Sequence, residues 1–148
     1  MKNIVICDVD GTLCTDEHRN HILHTGERND DAWRRYFDLC HLDPPVEAVI
    51  RLVTCMSYCG NEVHLFTART EDVAQKTIDW LAKHNVPYSS ITFRPRDSRV
   101  QDNVLKTSWA DKLGGPEKVL FVLEDRQRVV DAWRQAGYVC LQVAPGDF

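Results

Sequence analysis

Ile4-Val5-Ile6-Cys7-Asp8-Val9-Asp10-Gly11-Thr12-Leu13 is the stretch that decides how this 148-residue chain is read. Its apolar run has the character of a strand buried on both faces, as in a parallel sheet, and it ends abruptly in acid, acid, glycine and hydroxyl. Asp8 falls at the carboxyl end of that strand and Asp10 on the following turn, where Gly11 permits a bend that a Cβ would obstruct. Two carboxylates at this spacing can share one hard cation, or divide the work of nucleophile and acid/base. The same letters on their own also describe a strand entering an ordinary Asp/Gly turn. The rest of the chain has to decide.

Working outward, residues 14–43 are polar and irregular, with Asp30 as a helix cap and Trp33, Tyr36, Phe37 and Cys40 at helical spacing. This predicts a small, cap-like helical insert. Asp43-Pro44-Pro45 is read as a helix start, Val46, Val49, Ile50 and Val53 as its buried stripe, and Gly60-Asn61 as its stop. A second strand over 62–66 runs into Thr67-Ala68-Arg69, and Thr70 is read as the cap of the next helix. A brief strand over 91–93, an arginine-bearing loop and a helix over about 103–113 lead to a strand over 119–123 that ends in Glu124-Asp125. A helix carrying Val129, Val130 and Trp133, closed by Gly137, precedes a last strand over 139–143.

Strands alternating with helices predict an α/β fold, a three-layer Rossmann-like parallel sheet. Right-handed crossovers then bring every carboxyl end to one edge, where such sheets bind ligands. Asp8, Thr67 and Glu124-Asp125 all fall there.

The length fits one domain, 1–148, with 14–43 as its insert. A formal charge of −4 argues against a generally basic nucleic-acid coat but leaves room for a local groove. No signal peptide and no apolar run of about 18 residues is present, so the expectation is a cytoplasmic protein without a membrane partner. The six cysteines (7, 14, 40, 55, 59 and 140) form no CxxC pair and are read as reduced structural thiols. His18, His21 and His24 drift around a helix with no completing ligands, and no zinc site is expected from them.

For the edge chemistry, Asp8 is the natural nucleophile and Asp10 the group placed to protonate a leaving oxygen and then activate water. Were the substrate a phosphate dianion, an anionic nucleophile attacking it would need a cation between them. Oxygen ligands from Asp8, the Asp10 carbonyl and Asp125 suit Mg²⁺. Thr67 can hold a phosphoryl oxygen or merely cap a strand. Lys106 can neutralise a phosphorylated aspartate or merely sit on a helix surface.

Read in order, Asp8-Val9-Asp10-Gly11-Thr12, Thr67, Lys106 and Glu124-Asp125 resemble the four motifs of the haloacid dehalogenase-like phosphohydrolases. That resemblance implies an Mg²⁺-dependent aspartyl-phosphate mechanism on a sheet whose first strand is central, with Glu124 beside Asp8, Asp10 and Asp125 at the metal. A narrower likeness is to the 3′-phosphatase domains of bacteriophage polynucleotide 5′-kinase/3′-phosphatases. It rests on Thr67-Ala68-Arg69, on Arg96 followed by an acid, and on Asp102-Asn103-Val104-Leu105-Lys106. It rests further on Glu124-Asp125-Arg126-Gln127 through Trp133-Arg134 to Gln142-Val143-Ala144-Pro145-Gly146-Asp147-Phe148. The likeness implies that Arg69 and Arg96 contact phosphate or the nucleic-acid backbone and that Asp102 orients Lys106. Glu124 replaces an Asp of that pattern, and 14–42 is its poorest match. No GxxxxGKS/T occurs, so no kinase domain is expected; a separate kinase or ligase in the same pathway is the implied partner.

The leading functional reading is removal of 3′-phosphates from nucleic-acid ends, with Trp33 or Tyr36 either stacking a base or packing in the core. The alternative is a phosphatase of mononucleotides or other small phosphometabolites. A catalytically dead binding module would lack Asp8 or Lys106, and both are present.

Overall fold

In the computed structural model, which describes residues 1–148, the chain runs through β1 (Ile4–Asp8), α1 (His21–His24), α2 (Asp30–Asp38) and α3 (Glu47–Tyr58). It continues through β2 (Glu62–Thr70), α4 (Ala74–Lys83), β3 (Ser90–Arg94), α5 (Asp102–Lys112), β4 (Val119–Glu124), α6 (Gln127–Gln135) and β5 (Cys140–Gln142). The five strands form one all-parallel sheet in the order β3-β2-β1-β4-β5; the first strand is in the middle, as the family resemblance implies, and buried on both faces, as its unbroken apolar run predicts.

Each face of the sheet has its own core. Cys7, Leu65 and Leu123 pack with Val49, Val53 and Leu81 on one side. Ile6, Phe66 and Val122 pack with Val129, Val130 and Trp133 on the other. Neighbouring strand residues therefore alternate between two apolar layers, each buried side chain contributing about 1.5–3 kcal/mol. No helix is long and apolar enough to cross a membrane.

Register sets the chemical edge. Asp8 lies opposite Phe66, so Thr67 is one residue further along β2; Cys7 lies opposite Leu123, so Glu124 and Asp125 leave β4 level with Asp8. Gly11 adopts φ +80°, and a Cβ there would come within 2.1 Å of Asp125 Oδ2. The bend demanded by the acidic turn is thus also a close approach that only glycine allows.

Several local expectations are corrected. Asn29, not Asp30, caps α2, its side chain accepting from the Ala32 N–H at 2.9 Å. β2 continues through Thr67 and Arg69 to Thr70, which precedes a 3₁₀ turn over Glu71–Val73 rather than the α-helix itself. Asp43 does not cap α3, which starts at Glu47 after Val46. Pro44 and Pro45 have no N–H to offer, the Val46 N–H goes to the Leu13 carbonyl at 2.8 Å, and the Asp43 carboxylate is held by Arg19 and Arg69. Strand β5 is shorter than expected, Cys140–Gln142.

Trp133 is fully buried, stacked near Phe66 with centroids 6.4 Å apart and edge-on to Tyr138 at 5.0 Å; its indole N–H has no hydrogen-bond partner. Trp133→Ala should therefore cost about 3–5 kcal/mol in urea unfolding. Trp133→Phe should cost less than half as much, because the lost N–H satisfies nothing.

Candidate active site

Lys106 is the centre of the first buried cluster. Its Nζ lies 2.7 Å from Asp8 Oδ1, 2.9 Å from Glu124 Oε2 and 3.4 Å from Asp102 Oδ2. Asp102 and Lys106 meet because α5 places residues four apart on one face. Thr12 ties the far side together: its hydroxyl is 3.2 Å from Asp8 Oδ2 and 3.3 Å from Asp125 Oδ1. The lysine is 2 % exposed, so its charge is not a helix-surface charge.

The cluster holds four carboxylates against one ammonium, and oxygens of Asp8, Glu124 and Asp125 lie within 4.8 Å of one another. Burial and the charge of Glu124 push Asp8 well above the usual carboxylate range, with Lys106 pulling the other way. Burial and Asp8 push Asp125 up to about 7. Burial would lower the Lys106 ammonium, but Asp8, Glu124 and Asp102 outweigh it and hold it well above its ordinary value. An all-oxygen, acid-rich site of this kind fits a hard divalent cation. Glu124 turns back on its own loop, where Oε1 accepts from the Asp125 N–H at 3.2 Å, while Asp125 turns toward the Asp8 side, Oδ1 3.3 Å from the Thr12 hydroxyl and Oδ2 against Gly11. The longer acid thus holds Lys106 and the turn, and Asp125, whose side chain is bonded only by Thr12, is the freer carboxylate of the two.

A second cluster adjoins the first through Asp10. Arg69 donates to both Asp10 oxygens, Nε at 3.2 and 3.1 Å and a terminal nitrogen at 2.8 Å. Arg19 reaches the same carboxylate at 2.5 Å. Both guanidiniums also hold Asp43, Arg19 at 2.7 and 2.6 Å and Arg69 at 3.0 Å. His18 completes this shell, 2.7 Å from Asp43. Burial alone would raise the Asp10 carboxyl, but Arg69 and Arg19 more than offset it and hold it well below the usual range. Asp10 is therefore ionised here.

Of the residues singled out from sequence, Asp8, Asp10, Thr67, Asp102, Lys106, Glu124 and Asp125 gather at one edge. Thr67 accepts the Arg69 N–H at 3.1 Å and its own O–H donates to no protein group. Arg69, expected to face phosphate, is instead 0 % exposed, with its guanidinium taken up by Asp10, Asp43 and Thr77. Arg96 stands apart on the surface, paired with Asp72. Tyr36 is core: its hydroxyl meets Asp16 and its ring lies 4.1 Å below the Arg19 guanidinium. Arg19 and Asp43 were not singled out as site residues. Asp43-Pro44-Pro45 reads locally as a helix start and so hid the role of Asp43; nothing in the polar run around Arg19 marks it.

With this geometry, the match to a family model carries weight: residues 2–148 fit the phosphatase domain of polynucleotide kinase PNKP. The chain belongs to that family. It is accordingly a phosphatase on the haloacid dehalogenase-like fold. A chain of the Pnkp1/Rnl/Hen1 RNA repair complex superposes with a TM-score of 0.79 at 27% identity, covering 98% of this chain and 43% of that one. A haloacid dehalogenase-like hydrolase from Streptococcus pneumoniae gives 0.70 at 13% identity, covering 95% and 84%. A D,D-heptose 1.7-bisphosphate phosphatase from B. bronchiseptica, complexed with magnesium and phosphate, gives 0.59 at 15% identity, covering 96% and 80%. The last two likenesses concern the fold alone. The chain spans less than half the length of the repair-complex proteins it matches. No curated protein matches the sequence.

Arg19→Gln should lower stability by about 3–5 kcal/mol in urea, because it leaves Asp43 and Asp10 short of a buried partner. The Asp10 pairing stabilises the fold above the usual carboxylate range and is lost only as pH falls through its depressed pKa. The deficit of the variant should therefore be full at neutral pH and shrink on acidification.

Proposed function

We propose that the chain removes 3′-phosphates from nucleic-acid ends as a Mg²⁺-dependent phosphomonoesterase working through a phosphorylated Asp8. The observation that carries the chemistry is Asp8 itself, fixed at the end of the central strand with one oxygen on Lys106 and the other on Thr12, inside a cluster with surplus negative charge. Asp8, Asp125 and Glu124, with the Asp10 carbonyl, would hold Mg²⁺, which when bound supplies the positive charge that lets two anions approach.

In the first step an Asp8 oxygen bonds to phosphorus, the bond from phosphorus to the 3′ oxygen breaks, and that oxygen takes a proton from Asp10. In the second, water attacks phosphorus, the bond to Asp8 breaks, and Asp10 takes the water proton. Because Arg69 and Arg19 hold Asp10 ionised without substrate, that pairing must loosen as the phosphate arrives, and Asp10 must take a proton from solvent before it can donate one. In later turnovers the proton it takes from the attacking water serves the next leaving oxygen. Lys106 offsets charge on the phosphorylated aspartate, with Asp102 keeping its ammonium in place, and the free Thr67 hydrogen serves a phosphoryl oxygen. Arg69 acts through Asp10 rather than by touching substrate, and Arg96 offers a phosphate contact outside.

The nucleic-acid substrate rests on the family and on the relative found in an RNA repair complex. An arginine-rich groove beside the cluster supports it. By the same likeness the protein would act alongside a separate kinase or ligase in end repair.

Phosphate release from a 3′-phosphorylated oligonucleotide, a 3′-mononucleotide and an aryl phosphate, compared by kcat/KM, tests the reading. The oligonucleotide should lead and should lose its advantage steeply with salt. Equal rates on all three would favour a small-molecule phosphatase. Asp8→Asn should lower turnover by about 10⁴-fold or more, and acid-quenched wild type should carry phosphate on Asp8.

Mg²⁺ at about 100 times its Kd should stabilise the fold by about 2.7 kcal/mol in thermal unfolding. Asp125→Asn should remove most of that gain.

A further inference from the structure

The insert and the loop after β3 face each other across a groove of about 950 Å³. Trp33, Arg34 and Phe37 of α2 line one wall, and Arg94, Arg96 and Arg99 line the other. Asp102, 3.4 Å from Lys106, lines the same groove, so it runs up to the acidic cluster. Seven arginines against five aspartates give it a positive surplus on a chain whose net charge is −4.

Trp33 stands out there. Its neighbour Tyr36 is engaged inside, but Trp33 is 38 % exposed. Phe37 lies nearly parallel to it, centroids 5.8 Å apart at 26°, and Tyr36 meets it edge-on at 5.7 Å. The indole is thus held in one orientation with apolar surface open to the groove. An exposed, braced aromatic among arginines is unlike a core contact, and it is the pairing that single-strand binders use: cations for the backbone, a flat ring for a base.

We propose that Trp33 is the stacking platform for a nucleobase of the strand whose 3′-phosphate enters the Asp8–Lys106 cluster. This rests on the nucleic-acid reading above and gives it a specificity residue. The helical insert then positions the terminal nucleotides, and Arg94, Arg96 and Arg99 take backbone phosphates in exchange for Asp102, Asp72 and Asp30, their present partners.

The test is a kcat/KM cycle. Wild type, Trp33→Ala and Trp33→Phe are each assayed on a 3′-phosphorylated oligonucleotide and on the same strand abasic at its last two positions. The Trp33→Ala loss should be about 5- to 150-fold greater on the base-bearing strand, mostly in KM. Trp33→Phe should recover the greater part, and circular dichroism should match wild type. Equal losses on both strands, or no loss on either, overturns the stacking role. If wild type prefers neither strand over an aryl phosphate, the nucleic-acid reading itself falls, a result distinct from failure of the stack.

Discussion

A lysine sealed from water is tolerable only when carboxylates surround it, and three carboxylates around one lysine leave a negative surplus. Lys106 sits among Asp8, Asp102 and Glu124, and the surplus shows in the raised carboxyls of Asp8 and Asp125. In the proposed function that same surplus is what would draw a cation and the phosphate it accompanies. The rest of the structure serves it: β1 delivers Asp8, α5 delivers Asp102 and Lys106 from one face, and β4 delivers Glu124 and Asp125.

Beside it, Arg19 and Arg69 with Asp10 and Asp43 form a nearly balanced set, two guanidiniums against two carboxylates. The balance has a physical consequence. One buried aspartate of the turn is pushed toward the protonated form and the other, two residues on, is held ionised. Environment, not residue type, separates their ionisation.

Much of this was legible in the letters. The unbroken apolar run of residues 4–7 marked a strand buried on both faces, the resemblance implied that it is the central one, and strand ends carrying polar groups located the edge. What stayed hidden depends on long-range partners. Arg69 was legible as important but not as buried, because its partner Asp10 is 59 residues away. Arg19 and Asp43 find each other only when the insert folds back. Helix boundaries slipped where a local capping preference lost to such a partner, most clearly at Asp43. Trp33 and Tyr36 look alike in sequence, yet one is open to a groove and the other lies under a guanidinium.

The approach of Gly146 to Asp125 buttresses the acidic edge from behind. A Cβ at Gly146 would lie 2.4 Å from the Asp125 carbonyl oxygen, and the Gly146 carbonyl accepts the Gln127 N–H at 2.8 Å. Any side chain at position 146 would have to push the backbone that carries Asp125 out of place. The geometry of the acid pair is thus set as much by a wall without a side chain as by the strand that leads into it.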